Sequence, residues 1–382
     1  MATITGARGT GNISQSQRKV DMAEKILLLD PDAAPLTVLT RQLSKKAAHN
    51  PEYSWMEDDL EPRWDAVNNA AGYANNATSI VVDNGAYFAQ HFMVHVTRTG
   101  ENMRVTAVTG NTLTVVRGVG STAAALNDND ELLVTGVAQP EGDTSRPARS
   151  ANPTKVTNYT QIVRTPVEAT ETHRHSDTVT TPNDWAYQLN KAGIEHKKDI
   201  EYAALFGRPS EDLTGSQPRR TTGGVFHFAT QNVTDAGGAF TEAELFSALR
   251  PAFRYGSKKK VGLASMLAVD VMNGFPRGKL QTEQSDDTYG VRVFTYISPH
   301  GILRLVSHPL LEGSKYGGYI AILDMDQLAW RFLRNEEGSR DTFLRPNIQA
   351  PDADTRKDEY LTEAGLQFGQ AKTHALVSGI TS

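Results

Sequence analysis

The stretch from Ala77 to Val137 constrains the fold more than any other part of the sequence. Short runs of Val, Thr and Leu alternate with polar residues at period two, as in Phe92–Val96, Met103–Ala107 and Leu113–Val115. Turn signals such as Asp83-Asn84-Gly85 and Thr109-Gly110-Asn111 separate these runs. Alternation between regularly spaced turns is typical of half-buried β-strands. The pattern predicts a small all-β domain at residues 75–139, inserted into a larger chain and too small to be very stable alone.

Two further strands are predicted on either side of this insert. Tyr53–Leu60 precedes it, and Tyr159–Ala169 follows a linker that begins at Gln139-Pro140 and contains Pro147 and Pro153. Both runs are rich in aromatic and β-branched residues, which favour strands. The chain therefore leaves a host domain on one strand and returns on another about 100 residues later.

The second half of the chain predicts a mixed arrangement of helices and strands, so that the fold class is α+β. Asn183-Asp184 caps a predicted helix from Trp185 to Phe206, whose polar middle, including Lys197 and Glu201, indicates a helix lying on a surface. Thr241-Glu-Ala-Glu244 forms a capping box for a helix that runs to about Phe253. Predicted strands follow at Leu263–Val269, Val291–Ile297, Leu303–Ser307 and Tyr319–Leu323, with a hairpin turn at Pro299-His-Gly301 and closing strands within Gly365–Ile380.

The N-terminal region has a different composition. Met1–Gln17 is mostly Gly, Ser, Thr and other polar residues, which predicts an arm that depends on other surfaces for order. A short helix is predicted after Pro35. The chain of 382 residues has no cysteine, a net charge of -5 and no apolar run long enough for a membrane span. These features predict a protein of a cytosol-like compartment, without disulfides and without a membrane partner.

Enzyme motifs are missing from the sequence, and no catalytic, cofactor-binding or metal-binding residues are assigned. The nearest phosphate-loop pattern, Gly274 to Lys279, has the wrong glycine spacing. His173 and His175 would place two imidazoles on one strand face, but no third ligand is evident, and ordinary hydrogen-bonded histidines are favoured. Asp324 and Asp326 resemble a cation-binding pair but fit strand-end turn chemistry better, and Asp128-Asn-Asp130-Glu131 fits a hairpin turn.

Basic clusters and tryptophans were the remaining candidates for ligand contact. The basic clusters are Arg41/Lys45/Lys46, Arg146/Arg149, Arg219/Arg220 and Lys258 to Lys260. Solvated surface is the favoured interpretation of each, with contact to DNA phosphate as the alternative. The tryptophans at 55, 64, 185 and 330 are interpreted as core or interface residues, with stacking on sugars or bases as the alternative. The Asn-x-Ser/Thr triplets at Asn12, Asn76, Asn158 and Asn232 have no meaning without a secretory route.

Several segments together resemble one known family. The segments are Leu29-Asp-Pro31 with Pro35-Leu36, Trp55-Met-Glu-Asp58-Asp-Leu60, Asn158-Tyr-Thr-Gln161-Ile162, Ile200-Glu201 to Gly207, and Glu363-Ala-Gly365-Leu366 with Lys372-Thr-His374-Ala375 and Gly379-Ile380. The chain resembles the major capsid proteins of tailed bacteriophages with the Hong Kong 97-type fold, in a branch that carries a β-rich insert in the extended loop. The resemblance covers nearly the whole chain, and its motifs are structural ones.

The resemblance implies a domain plan. Residues 1–49 would form the N-terminal arm and short helix, 50–74 and 140–170 the arms of an extended loop, and 75–139 the inserted β domain. Residues 171–239 would form the peripheral domain with a spine helix at about 184–206, 240–350 the axial domain, and 351–382 C-terminal strands returning to the peripheral domain.

The resemblance also implies a function without catalysis. It implies a homo-oligomer of pentamers and hexamers, assembled in the host cytoplasm into an icosahedral virion capsid around the DNA genome. Portal, scaffolding and decoration proteins are the implied partners, together with non-specific DNA contact on the inner face. The alternatives are the shell subunit of an encapsulin-type protein compartment and a glycan-binding virion surface protein.

Overall fold

The computed structural model describes residues 45–145, 148–176, 184–275, 293–335 and 338–381. The chain forms two compact units, of which the smaller is Met56–Thr154 and the larger contains the residues before and after it. The predicted N-terminal arm and the helix after Pro35 lie outside the described residues. No helix within the described ranges is long and apolar enough to cross a membrane.

The smaller unit is a closed barrel of six strands. They are β3 (Trp64–Ala66), β4 (Ser79–Val81), β5 (Phe92–Val96), β6 (Asn102–Thr109), β7 (Thr112–Val116) and β8 (Glu131–Val137). Their order in the sheet is β3-β8-β5-β6-β7-β4. An antiparallel bridge between Val67 and Val82 joins the first strand to the last, with the Asn68 amide donating to the Val81 carbonyl at 3.0 Å. Closure leaves these strands little free edge for unwanted pairing.

Apolar side chains at alternate positions of the strands fill the barrel interior, as the sequence predicted for its three clearest strands. In β5, Phe92, Val94 and Val96 are buried and the residues between them are less so. The interior cluster also contains Val67, Ile80, Val82, Phe88, Met103, Val105, Leu113, Val115, Leu126, Leu132 and Val134. The hairpin prediction for Asp128 to Glu131 is wrong, because β7 and β8, which flank this turn, are not neighbours in the sheet.

Two arginine clamps hold the long connection between β7 and β8. Arg117 donates from Nε and Nη2 to the two carboxylate oxygens of the fully buried Glu101, at 2.7 Å each. The Gly118 and Ala124 amides donate to the same carboxylate. Arg98 makes a similar two-pronged contact with Asp130. A buried carboxylate is tolerated only where such partners compensate for the lost water.

In the larger unit, the first sheet has the order β1-β18-β21-β10, with two short strands beside it. The strands are β1 (Lys45–Ala48), β10 (Gln161–Thr170), β18 (Leu328–Asn335), β19 (Gly338–Ser339), β20 (Phe343–Arg345) and β21 (Thr355–Phe368). β10 and β21 pair antiparallel over ten residues, from Gln161 opposite Ala364 to Thr170 opposite Thr355. The helix α2 (Asp184–Phe206) packs on these two strands, at the position the sequence predicted. The short helix α1 (Glu171–Arg174) precedes it.

The second sheet of this unit has the order β13-β22-β17-β14-β16-β15. Its strands are β13 (Val233–Gly238), β14 (Lys259–Ala264), β15 (Val293–Ser298), β16 (Gly301–Ser307), β17 (Ile320–Leu323) and β22 (Ala375–Ile380). β15 and β16 are joined by the predicted turn, with Ser298 opposite Gly301. The segment expected at 351–382 therefore supplies one strand to each large sheet.

Helices flank the second sheet. α3 (Val225–Phe228), α4 (Glu242–Arg254), α5 (Met266–Asn273) and α6 (Gly313–Tyr316) complete the α-helices of the described residues, which also contain short 3-10 helices at Gly85–Tyr87, Met325–Gln327 and Ala371–Thr373. α4 begins with the predicted capping box of Thr241 and Glu244. The predicted strand Leu263–Val269 is wrong in its second half: β14 ends at Ala264, and Ser265 caps α5 by accepting the Ala268 amide at 3.1 Å. A short apolar run does not distinguish strand from helix, and the Ser cap decides it.

Apolar clusters cover both faces of the second sheet. One contains Leu249 and Phe253 of α4 with Ile320 and Ile322 of β17. The other places Leu263 and Ala321 of this sheet with Trp330 and Leu366 of the first sheet. The two sheets therefore share one core within the larger unit, and the predicted domain bounds inside it stay predictions.

Candidate functional site

The most elaborate polar site lies where the chain leaves and re-enters the larger unit. Strands β2 (Glu52–Glu57) and β9 (Thr154–Tyr159) form a two-stranded ribbon at this point. Asn158, on β9, is fully buried at its foot. We refer to Tyr53, Asn158, Thr222, Gly223 and Leu366, with their hydrogen bonds, as the ribbon foot.

Asn158 supplies most of the hydrogen bonds of the ribbon foot. Its Nδ2 donates to the carbonyls of Leu366 at 2.7 Å and Gly223 at 3.1 Å and to the Thr222 hydroxyl at 3.2 Å. Its Oδ1 accepts the amides of Gly223 at 2.7 Å and Tyr159 at 2.8 Å. One side chain thus joins β9, β21 and the loop before α3, and satisfies backbone groups that have no ladder partner there.

Aromatic side chains of β2 complete the ribbon foot. The Tyr53 hydroxyl donates to the Leu366 carbonyl at 2.9 Å, and burial raises the pKa of Tyr53 well above its usual value. Trp55 stacks near Tyr53 and meets Phe228 of α3 edge-on at 5.9 Å between ring centroids. These contacts confirm the prediction that Trp55 is a core or interface residue.

Close packing at the ribbon foot explains one glycine of the family-like C-terminal segment. A Cβ atom on Gly365 would lie 2.6 Å from the Tyr159 carbonyl oxygen, 2.6 Å from the Tyr53 hydroxyl and 2.7 Å from the Thr222 hydroxyl. No side chain fits at that distance. β21 approaches the ribbon this closely only because residue 365 has no side chain.

The neighbouring residues of the 158–161 segment also bond across the junction. The Thr160 amide donates to the Pro51 carbonyl at 2.8 Å, and Gln161 Oε1 accepts the Thr222 amide at 3.1 Å. The segment that resembles the capsid family is therefore the one whose side chains anchor the ribbon. The sequence analysis treated Asn158 only as the first residue of a glycosylation triplet without meaning. Its anchoring role was indicated solely by its place in a segment that resembles the capsid family.

The polar middle of α2 is solvent-facing only in part: Glu195, Lys197 and Asp199 are exposed, as the sequence predicted, whereas His196 and Glu201 are buried. Glu201 and His308 are both fully buried, with His308 Nε2 2.7 Å from a Glu201 carboxylate oxygen. The Leu310 amide donates to His308 Nδ1, so Nε2 carries the hydrogen and donates to Glu201. His196 is also buried, between the hydroxyls of Thr165 and Thr362. Glu201 therefore contributes to the interior.

Asp324 and Lys260 form a second buried pair of polar side chains. Lys260 Nζ is fully buried and donates to Asp324 Oδ2 at 3.1 Å and to the Thr373 carbonyl at 2.6 Å. The Asp324 amide donates to His374 Nδ1 at 3.1 Å, and His374 Nε2 donates to the Gly369 carbonyl at 3.0 Å. Burial lowers the pKa of His374 to about 4. Asp324 also caps the turn at Asp326, which confirms the turn interpretation of this acidic pair.

The histidine pair at 173 and 175 is not on a strand, because α1 forms there. His173 lies 3.1 Å from Asp184, and His175 lies beside Glu171. Across the described residues, no cluster of three or more metal-type side chains occurs.

Most of the basic clusters have acidic or carbonyl partners. Lys45 pairs with Asp341, Arg149 with Glu61, and Arg220 with Glu211. Lys258, which donates to the Phe253 carbonyl, and Lys259 are exposed, whereas Lys260 is buried, so the solvated-surface interpretation is wrong for Lys260 only. Arg41, Arg146 and residues 276–279 of the phosphate-loop pattern lie outside the described residues.

The remaining tryptophans differ in setting. Trp330 is in the core, and Trp64 is 47% exposed on the outside of the barrel. The guanidinium carbons of Arg174 and Arg356 lie over the Trp185 ring, 5.8 and 5.1 Å from its centroid.

Comparison with known proteins gives concordant matches. A family model for the SU10 major capsid protein matches residues 3–381. The major capsid protein of Pseudomonas phage PaMx41 is 26% identical over 341 residues, which cover 85% of this chain and 81% of that protein. A solved structure from Mycobacterium phage Bobi has a TM-score of 0.50 at 9% identity, covering 95% of this chain and 96% of that one.

A weaker structural likeness extends to a protein compartment. The holo-SrpI encapsulin complex from Synechococcus elongatus PCC 7942 has a TM-score of 0.44 at 12% identity, covering 98% of this chain and 96% of that one. At such identities structural likeness concerns the fold alone.

The fold is that of the Hong Kong 97-type capsid proteins. Within that class, the chain belongs to the SU10 major capsid protein family. It is therefore the major capsid protein of a tailed bacteriophage and a structural component of the icosahedral virion capsid, in which many copies assemble. Family membership decides against the encapsulin and glycan-binding alternatives.

Proposed function

We propose that this capsid protein forms both the pentamers and the hexamers of the shell, encloses the DNA genome, and has no enzymatic activity. The ribbon foot carries the proposal. The buried Asn158 makes five contacts within hydrogen-bond distance, in which its two Nδ2 hydrogens are shared among three acceptors, and these hold two strands at the point where they leave the larger unit. A rigidly held pair of strands suits heterologous contact between copies, in which one surface of a subunit meets a different surface of the next.

The proposal assigns the parts of the chain as follows. Residues 50–74 and 140–170 act as the arms of the extended loop, and 75–139 act as an inserted domain. Residues 171–239 and 351–382 act as the peripheral domain, 240–350 as the axial domain, and 1–49 as the arm. The Met56–Thr154 unit with its closed barrel supports the insert, since it has its own apolar core.

The proposal extends to the place of assembly and to the partners of the shell. Assembly takes place in the host cytoplasm, with portal, scaffolding and decoration proteins as partners and packaged DNA at the inner face. The net charge of -5 suits weak, non-specific contact with DNA, because a strongly basic surface would bind the genome tightly.

Expression of the chain followed by electron microscopy tests the proposal. We expect closed particles with fivefold and sixfold centres, and DNA rather than a cargo enzyme inside virions. Two deletions sharpen the test: removal of Met1–Gln17, and replacement of Pro62–Arg149 by a short Gly-Ser linker between the neighbouring strands β2 and β9. Both should leave a folded larger unit by circular dichroism but reduce shell yield. Normal particles from both deletions, or soluble monomers from the unaltered chain, would contradict the proposal.

A further inference from the structure

Three side chains form a row across the outer surface of the barrel. Met93 on β5 lies opposite Arg104 on β6, and Arg104 lies opposite Val116 on β7. Directly opposed residues of an antiparallel pair point to the same face of the sheet. The residues next to them, such as Val94 and Val115, are buried in the barrel interior, so the row points outward. We refer to Met93, Arg104 and Val116 as the outer row.

The outer row combines apolar surface with an unsatisfied charged side chain. Val116 is 42% exposed at one end of the row. The Nε atom of Arg104 is buried and has no hydrogen-bond partner among the described residues. A buried N–H group without a partner is costly, and a carboxylate is the strongest partner of a guanidinium. Arginine and methionine are also enriched at protein interfaces relative to the rest of a protein surface. A partner that covers the row and brings a carboxylate would therefore satisfy it.

A strand arginine of the larger unit shows what Arg104 lacks. Strands β11 (Ser210–Asp212) and β12 (Arg219–Thr221) form a short antiparallel hairpin. Across this hairpin, Arg220 Nε donates to the carboxylate of Glu211 at 2.7 Å. The strands on either side of β6 are β5 and β7, and neither contains an acidic residue. Neither neighbouring strand therefore offers Arg104 a carboxylate.

The segment at the end of β2 has the complementary composition. Its alternate positions Met56, Asp58 and Leu60 form an apolar, acidic and apolar series, and we refer to these three residues as the acidic series. Met56 is 66% exposed, Asp58 is exposed, and Leu60 is 96% exposed, more than any other large apolar side chain of the described residues. Leu60 therefore covers no surface of its own subunit. The acidic series matches the outer row, with an acid for the arginine and an apolar side chain for each end.

The dimensions of the two surfaces also agree. The ends of the acidic series lie about 13 Å apart in an extended chain, and the outer row crosses two strand spacings, which is about 10 Å. Side chains as long as methionine and leucine bridge the difference. The apolar ends distinguish this partner from a DNA phosphate, which would satisfy Arg104 but would not cover Met93 and Val116.

We propose that the acidic series of one subunit docks on the outer row of a neighbouring subunit, with the Asp58 carboxylate on the Arg104 guanidinium. The inference rests on the proposed shell function, and it names one of the contacts between copies. The two surfaces lie at different places on one subunit, so the contact is heterologous and closes into a ring when it is repeated. The opposite charges fix the register in which the two surfaces meet.

Exchange of the two charges tests the contact. Arg104→Glu and Asp58→Arg should each lower the particle yield about tenfold, because like charges then face each other. The variant with both changes should recover most of the yield. Arg63→Glu, at an exposed arginine of the same unit, is the control and should assemble as the unaltered chain does. Circular dichroism of dissociated subunits checks that each variant is folded.

Crosslinking tests the contact independently of charge, because the chain has no cysteine. The double variant Leu60→Cys with Val116→Cys is assembled into particles, treated with bismaleimidoethane, and run on a denaturing gel. A link within one chain leaves the monomer mass unchanged, whereas links between copies give a ladder from dimer upward. Leu60→Cys combined with Asn76→Cys, at an exposed position between β3 and β4, is the control.

We expect a ladder only from the Leu60/Val116 pair and only in assembled particles. Particles without a ladder, or an equal ladder from the control pair, overturn the contact and leave the shell function standing. The same holds if folded Arg104→Glu and Asp58→Arg variants assemble normally, or if the double charge variant assembles no better than the single ones. Failure of the unaltered chain to form particles overturns the shell function, and the contact with it.

Discussion

Asn158 and Gly223 bond to each other in both directions: Asn158 Nδ2 donates to the Gly223 carbonyl, and the Gly223 amide donates to Asn158 Oδ1 at 2.7 Å. The side-chain amide takes the place that a neighbouring strand would fill. It fixes the loop before α3 against the ribbon although the two segments are 65 residues apart in sequence. The family-like segment around Asn158 is thereby tied to the core of the larger unit.

Asn158→Ala should destabilise the larger unit by about 3 kcal/mol. The variant leaves buried donors and acceptors of Gly223 and Leu366 without partners, and each such group costs about 1–3 kcal/mol. Chemical unfolding of dissociated subunits measures the effect. Asn76→Ala, at an exposed asparagine, is the matched control and should stay within about 0.5 kcal/mol. Equal stability of the two variants would contradict the anchoring role.

Gly365→Ala should be strongly destabilising, by about 2 kcal/mol or more, because its Cβ would approach backbone and hydroxyl oxygens to 2.6–2.7 Å. Gly136→Ala in β8 is the control, since a Cβ there meets nothing within 4 Å. The measurement is the melting temperature of each variant. A Gly365→Ala variant that melts with the unaltered protein would show that β21 moves aside without cost.

Acid should weaken the subunit partly through His374. Its pKa in the folded protein is about 4, below the value of 6.5 in the unfolded chain, so the unfolded state binds the extra proton first. The stabilising contribution is complete above pH 6.5 and is lost as the pH falls to about 4, to a total of about 3 kcal/mol. Protonation would also place a hydrogen on Nδ1 against the Asp324 amide.

The His374→Gln variant measures this contribution. The free energy of unfolding is determined at pH 7 and pH 4 for both proteins. We expect the loss between the two pH values to be smaller in the variant by about 3 kcal/mol, although the variant is less stable at pH 7. Parallel pH profiles would assign the acid sensitivity to other groups.

Glu101→Gln should destabilise the barrel by about 3–5 kcal/mol, because it leaves the Arg117 guanidinium buried without its counter-charge. Hydrogen exchange within 92–137 should accelerate in the full-length chain while exchange in β21 and β22 is unchanged. Glu131→Gln, at an exposed position of β8, is the control. Faster exchange in both units would indicate that they unfold together.

The sequence predicted those parts of the fold that depend on local pattern. Period-two alternation predicted three of the six barrel strands, β5, β6 and β7, while Thr241 and Glu244 predicted the start of α4 and Pro299-His300 a hairpin turn. The strand predicted at Leu263–Val269 failed because seven residues are too few to distinguish a strand from a helix. The sequence motifs indicated no catalytic or binding chemistry. The function was predicted from the family resemblance alone.

The tertiary structure alone decided where the polar residues of α2 lie. Glu201 is followed by a solvent-facing neighbour, Tyr202, and nothing local distinguishes a buried carboxylate from an exposed one. Its partner His308 is 107 residues away, so the pairing depends on how two sheets pack.

By itself, the sequence determined a cysteine-free α+β chain with a β-rich insert and a likeness to capsid proteins. The tertiary structure decided that the strands of the Met56–Thr154 unit close into a barrel, that Asn158 anchors the ribbon, and that Glu201 and His308 pair in the interior. The physical reason is the distance along the chain over which each interaction acts. Periodicity and capping act over a few residues, whereas closure, burial of charge and surface complementarity arise between segments far apart in the chain.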